Sequence, residues 1–566
     1  MSLLVGYRFS PNFAMFFRKL RWILPDFNRF INKRVMSNLM TMATNEINIR
    51  PATRKAKRFS IPRWATLLLL AVMLSSVATL GFDAYSGKLG IIGQHFEIEQ
   101  TAAGKIIRVP AGGNIQAAIA KANSGDIIEL KAGATYYGEI KLPNKPITDF
   151  ITIQSSGAVQ LAEGKRVGPT QSPLMAKIVT RDAHPAVSAA NGAHHFRFIG
   201  VEFAPETKTY VYNLVLFGNG EAVANLPHHL EIDRSYLHPS NLGISRRAIA
   251  LNSADTVIKN SYIEGFAGPN EETQGICGWT GTRNAQILNN YIEGGAENIL
   301  FGGSDPDNAE LIPTDIEIKG NHLSKPEAWK TKVTVKTLFE LKNSKRVKFI
   351  GNLLENNWKG SAFRITVRNQ DGKAPFSTIE DVEIRDNVIR NVADGINILG
   401  QDDSQKSGTL KNLTIENNLF LDLSNGPGMD GSGYLIQVAS GENILIANNT
   451  SLNTGNIVTF HGDMPTNFVF RDNIVGHGNY GIHGPIDLSS SALKGMFFGN
   501  LFMNLNSVPP GDYAFPSGNE IVKGLNDVGF ANIGGGDYRL SQSSKYRGKG
   551  LGGKNAGSNL PPLAAN

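Results

Sequence analysis

At 566 residues the chain exceeds what one ordinary globular core fills, so it either divides into domains or grows by repetition. It carries 60 Gly, 52 Asn, a single Cys and 8% aromatic residues, a turn-rich composition that excludes a disulfide scaffold, while 41% apolar against 19% charged residues excludes disorder throughout. The net charge of +7 is local: residues 1–63 hold 13 Lys/Arg against 2 Asp/Glu and the rest of the chain 43 against 47, so no cationic groove runs along the body and nucleic acid is not an expected partner.

The basic segment 1–63, in which Met36, Met40 and Met42 are alternative starts, ends in Arg54, Lys55, Lys57, Arg58 and Arg63. An uncharged run follows, WATLLLLAVMLSSVATLGF from Trp64 to Phe82. A basic flank, an apolar stretch and the small residues Ser76-Val77-Ala78 make this an export signal, with an uncleaved membrane anchor as the rival reading at the same length. Residues 83–104 read as a linker. In IQAAIAKANSGDIIEL, Asn114 caps a short helix whose apolar face is Ile115, Ala118 and Ile119, and Ser124-Gly125-Asp126 ends it before a strand.

From about residue 195 a short pattern returns: IDRSYL, IKNSYI, ILNNYI, IKGNHL, FIGNLL, IRDNVI, IENNLF, IANNTS, FRDNIV and FFGNLF. Its column is Ser235, Ser261, Asn290, Asn321, Asn352, Asn387, Asn418, Asn449, Asn473 and Asn500, with a variable period of roughly 30 residues. Between the repeats the apolar period is 2, as in VEIR and LTIE, which predicts short strands rather than helices. Strand repeats bury an inner face by coiling, and Asn suits the turn because it tolerates left-handed backbone and its stacked amides can hydrogen-bond as a ladder. The predicted fold is all-β: a coil over 105–545 whose open end is covered by the helix, with Gly529–Leu540 closing the far end and 546–566 a flexible tail.

On the opening IQAAI…SGDIIEL…GATY and the Asn column, the sequence resembles the right-handed parallel β-helix proteins of the pectin-lyase-like superfamily over residues 105–545. The segments LPHHLEIDRSYLH, RRAIALNS, ENILFGGSDP, FELKNSKRV and RNQDGKAPFSTIEDV resemble a bacterial subgroup of exported β-helix proteins of unknown activity. The resemblance implies a polysaccharide ligand along one outer face.

Placing large apolar residues inward in each repeat's first strand leaves an outward set: Asn252, Cys277, Trp279, Asn298, Glu340, Lys342, Arg364, Thr366, Arg368, Asn397, Gln437, Thr459 and His461. Lys342, Arg364 and Arg368 beside Glu340 suit β-elimination on a uronic-acid polysaccharide: cations neutralise the carboxylate while Lys342 takes the proton α to it and Glu340 sets the charge balance. The plainer alternative is cross-strand ion pairing. Trp279 is a candidate for stacking on a sugar ring, and Arg246, Arg247, Asn397, Gln437 and His461 are candidate substrate contacts; Arg246-Arg247 have Asp233 or Glu231 as alternative partners.

An inverting hydrolase using Glu340 with Asp371 is a second enzymatic option, and a non-catalytic surface scaffold or adhesin held by Trp64–Phe82 is the alternative of another class. The strings GQDD (Gly400–Asp403) and GHG (Gly476–Gly478) depart from the polygalacturonase pattern, leaving Asp402 and Asp403 as loop residues. Glu297 and Asp305, with Asp307 nearby, are candidate Ca²⁺ ligands against a reading as turn residues. His228-His229 and His238 complete no familiar metal spacing and read as core or turn histidines, and Cys277 reads as a small filler.

Overall fold

The computed structural model describes residues 96–563 except 103, 207–208, 485–494 and 506–514. The basic segment 1–63, the apolar run 64–82 and most of the expected linker therefore lie outside the described residues. Among those described, no helix is long and apolar enough to cross a membrane.

The chain winds as a right-handed parallel β-helix. One sheet of 15 strands opens on Glu97–Thr101 and then takes a strand from each successive coil, from Gly104–Val109 to Phe497–Phe498; a second, of 24 strands, carries the other two rows. In two coils those rows merge into the continuous strands Leu353–Thr366 and Val388–Leu399. Neighbouring coils pair in parallel and in register, so side chains that face the bore pile into columns. One such column runs Ile249, Ile276, Ile299, Phe339, Phe363, Ile396, Ile436, Val458 and Ile482, and all are buried. Each fully buried Ile or Phe contributes roughly 2–3 kcal/mol of transfer free energy, which is why a fold without a globular centre still coheres.

The first end is covered as expected. The helix Ile115–Lys121 is capped by Asn114, whose Oδ1 accepts from Ala117 N–H at 3.0 Å, and it buries Ile115, Ala118 and Ile119. The last linker residues differ from expectation: Glu97–Thr101 is a strand antiparallel to Gly104–Val109, held by Arg108 between Glu99 and Glu129 at 2.6 and 3.0 Å.

The amide column is a ladder. Asn352 N–H and Nδ2 both donate to Asn387 Oδ1, at 2.8 and 3.1 Å, while Asn352 Nδ2 also reaches Ile318 O at 3.0 Å. The same pattern joins Asn290, Asn321, Asn387, Asn418, Asn449 and Asn473 to their successors, and it runs one rung past Asn500 to Asn519, a position the repeat did not reveal. The left-handed residue of the turn, however, is the one before the ladder. Asn260, Asn289, Gly320, Gly351, Asp386, Asn417, Asn448 and Asp472 have φ between 52° and 66°, and the laddered amides do not. The two properties credited to one Asn are divided between neighbours, because a backbone that turns left-handed aims the next side chain into the core.

The expected flexible tail also needs correction. At the far end Val528, Leu540, Tyr546 and Ala556 bury a second apolar cluster with Ile474, Leu501 and Met503. Residues beyond Tyr546 run back over the coils: Gly557 N–H donates to Asp472 O at 2.8 Å, Ser558 N–H to Thr450 Oγ1 at 2.9 Å and Asn559 N–H to Asn417 Oδ1 at 2.6 Å. The turn column leaves polar groups free along the outside, and this segment satisfies them.

Candidate functional site

Outside the bore, the register Cys277, Leu300, Glu340, Arg364, Asn397, Gln437, Thr459 forms a single column on the second sheet. Around it opens a cleft of about 780 Å³ lined by Lys336, Glu340, Lys342, Arg364, Thr366, Arg368, Asn397, Gln437 and His461, with a wall from Asn369-Gln370 and Asp402–Gln405. A smaller cleft of about 280 Å³, lined by Arg246, Arg247, Trp279, Tyr212 and Glu272, shares Lys342 with the first. The structure thus brings Glu340, Lys342, Arg364 and Arg368 together with every expected substrate-contact residue along two adjoining clefts.

The strip is less open than strand alternation suggests. Asn252, Cys277, Asn298 and Glu340 point away from the bore yet are buried, because loops fold over the strand ends. Asn252 donates to Gly218 O at 3.0 Å and accepts from Trp279 N–H at 2.9 Å; Asn298 donates to Ile292 O and Ser324 O, both at 2.8 Å. Cys277 acts as filler, its thiol pushed up to about 11 by burial.

Glu340 is the electrostatic centre. It is 1% exposed, and its Oε2 has no hydrogen-bond donor. Burial first, and then the neighbouring charge of Glu297, push its carboxyl up to about 7, against the pull of Lys336, Lys342 and Arg364. Lys336, absent from the sequence-derived set, lies 3.0 Å from Glu297, 3.0 Å from Glu272 and 3.7 Å from Glu340. Burial works against the Lys336 charge, but Glu297 and Glu340 outweigh it and raise its pKa. Lys336 precedes its strand, so an alternation argument restricted to strands could not reach it.

The three expected cations differ. Arg368 is already neutralised, bonded to Asp403 and 3.3 Å from Asp402, which also accepts from Asn369 N–H at 2.7 Å. Asp402 and Asp403 are loop residues, as expected, and they clamp the wall. Lys342 and Arg364 form no ion pair among the described residues, and the buried Nε of Arg364 lacks an acceptor. Asp371, the proposed partner of Glu340 for hydrolysis, is exposed in the loop beyond the cleft, its N–H donating to Asp305 at 2.9 Å.

Other expectations are revised. The Ca²⁺ pair Glu297 and Asp305 is not assembled: Glu297 is fully buried and bonded to Gln274 at 2.8 Å and Lys336, while Asp305 takes the N–H groups of Asp371 and Lys373, both at 2.9 Å. Glu297 already has its cation in Lys336, and Asp305 Oδ2 its two donors, while Asp305 Oδ1 is buried without one. Neither Asp233 nor Glu231 pairs with Arg246-Arg247. Arg247 donates to Gln274 Oε1 at 2.8 Å and lies 5.0 Å from the Trp279 ring centroid, Arg246 donates to Glu272 O at 2.9 Å, and Asp233 and Glu231 pair with Arg234 and Lys259. One face of Trp279 is therefore occupied by a guanidinium. His238 bonds Glu202 at 2.8 Å, and His228-His229 are half-buried on the outside of the first sheet, neither in the bore nor in a turn.

No family model matches the chain, and no curated protein matches it. Among solved structures it is similar to the PL6 family alginate lyase AlyGC (15% identity, 81% of this chain and 57% of that one, TM-score 0.48). It is also similar to an alginate lyase from Paenibacillus sp. str. FPU-7 (13%, 64% and 95%, 0.36) and to the catalytic unit of a GH87 alpha-1,3-glucanase from Streptomyces thermodiastaticus strain HF3-3 (14%, 75% and 70%, 0.42). At this distance no residue role transfers.

Proposed function

We propose that the cleft binds an acidic polysaccharide and cleaves it by β-elimination. The observation that carries this reading is the unpaired Lys342 and Arg364 beside buried Glu340, whose carboxyl titrates near neutrality. An anionic sugar supplies what the site lacks: a carboxylate for the Arg364 guanidinium. With that carboxylate neutralised, the proton on the adjacent carbon becomes acidic, and Lys342 Nζ accepts it. The released electron pair forms the C4–C5 double bond, and the glycosidic oxygen leaves with its bonding pair and takes a proton, either returned by Lys342 or drawn from solvent water. Glu340 gains or loses a proton at little cost and so balances the charge between the two cations. Asn397, Gln437 and His461 extend the same wall toward further sugar units, and Trp279 and Arg246 extend it the other way.

Incubation of the protein with pectate, alginate and glycosaminoglycans, with and without Ca²⁺, tests the reading through the absorbance of unsaturated products. Product expected from one of these polymers and lost in Lys342→Ala supports it; no product from any removes it. Reducing ends released without unsaturation point to hydrolysis instead, and co-sedimentation without turnover to a binding scaffold. We further propose that the chain is exported through Trp64–Phe82, cleaved or retained as an anchor, which cell fractionation checks.

A further inference from the structure

Two successive coils of the first sheet carry a His-His pair at one register: His194-His195 begins the strand His194–Ile199, His228-His229 begins His228–Asp233, and His194 lies opposite His228. Neighbours on a flat strand point to opposite sides, but His195 and His229 have φ of 58° and 51°. That left-handed step turns both members of each pair outward. Farther along the solenoid the same step is taken by Asp255, Asn284, Asp381, Asn412 and Asn443, whose side chains bond from coil to coil. The two histidine coils replace that polar ladder with imidazoles.

The rings form a two-by-two block. His194 stacks on His228 with centroids 4.8 Å apart and planes 5° off parallel, and His195 on His229 at 4.4 Å and 9°. Within each pair the rings meet nearly edge-on, and the two Nδ1 atoms are 2.7 Å apart. Among the described residues, the only carboxylate paired with any of them is Asp255, 3.7 Å from His229. One nitrogen each of His195, His228 and His229 lies within 4.8 Å of the others. Ligand nitrogens around a tetrahedral ion at about 2.1 Å stand roughly 3.4 Å apart, so binding an ion requires the rings to tilt out of their stacks until the nitrogens converge.

We propose that His195, His228 and His229, backed by His194, bind one divalent late first-row transition-metal ion such as Zn²⁺, clipping two adjacent coils together on a sheet other than the one bearing the cleft. An all-imidazole donor set suits Zn²⁺, Cu²⁺ and Ni²⁺ and disfavours Ca²⁺ and Mg²⁺. The test is calorimetric titration of the chelator-treated full chain with Zn²⁺ alone, with bound metal counted after gel filtration. The double variant His195→Asn/His229→Asn serves as comparison, because Asn occupies this left-handed position in other coils and should preserve the fold. One Zn²⁺ per chain, a raised thermal midpoint on binding, and affinity about 100-fold weaker in the double variant are expected. His238→Gln, outside the cluster, should bind as the parent does. No binding by the parent, or equal binding by a double variant with an unchanged circular dichroism spectrum, would overturn the assignment. Failure of the polysaccharide assay would leave it untouched.

Discussion

The buried amide column from Ser235 to Asn519 and the outward column from Cys277 to Thr459 rise through the same coils and obey opposite rules. In the first, each residue resembles its neighbours and every backbone N–H from Ser235 to Asn500 finds a side-chain oxygen one rung away. In the second, no two charged neighbours match, and Glu340 and Arg364, adjacent in register, both retain a buried polar atom without a partner. Repetition satisfies polar groups and stabilises the coil. Broken repetition leaves them unsatisfied, and unsatisfied groups at the edge of a cleft are what a ligand can complete.

The largest loss of stability should come from Asn352→Leu. It removes the acceptor for Asn321 N–H and Nδ2 and the donor to Ile318 O, leaving several buried groups unpaired at about 1–3 kcal/mol each. A loss of about 3–5 kcal/mol in urea-unfolding free energy is expected. Next, if polysaccharide is cleaved, Arg364→Ala should lower kcat/KM about 100-fold, near 2.7 kcal/mol, whereas Arg368→Ala should cost less than about tenfold. The contrast follows from Asp402 and Asp403, which already neutralise Arg368. Equal losses would show that ion pairing does not separate the two.

A pH effect sharpens the same point from inside. Lys325 is fully buried, bonded to Gly294 O, Gly295 O and Asn298 Oδ1 at 2.7–2.9 Å, and burial pushes its pKa from 10.5 down to about 7. Between those values the unfolded chain binds a proton that the native chain does not, so stability rises with pH across that window and levels off below about 7. The slope should be roughly 1 kcal/mol per pH unit, about 2 kcal/mol between about pH 7.5 and 9.5, and absent in Lys325→Met. The smallest effect belongs to the outer polar ladder. Asn443→Gly keeps the left-handed backbone and removes exposed bonds to Asn412 and from Asn467, so thermal denaturation should register a loss of only about 0.5 kcal/mol.

The coil and its amide spine were legible because each is a local pattern repeated at matching register, and the capping helix because its Asn114 cap and apolar face lie within a few residues. The cation-rich strip was legible for the same reason: alternation along Phe339–Lys342 and Phe363–Arg368 assigns Glu340, Lys342, Arg364 and Arg368 to one side. What alternation does not carry is depth or partnership. It placed Asn252, Asn298 and Glu340 outside the bore without showing that loops bury them, and it treated Arg364 and Arg368 alike although a turn 34 residues beyond Arg368 neutralises only one. Lys336 and the pairing of His194-His195 with His228-His229 depend on which loops and coils meet.

The amino-acid sequence alone determined that this protein coils, which side chains fill its bore and which residues share its outer wall, because strand period and turn chemistry act over a few residues. Only the tertiary structure decided which outward charges remain unpaired, that the C-terminal segment is strapped to the coils and that four imidazoles form one block. Those outcomes depend on distances between residues tens of positions apart, set by the register of whole coils and by loops that no local period encodes.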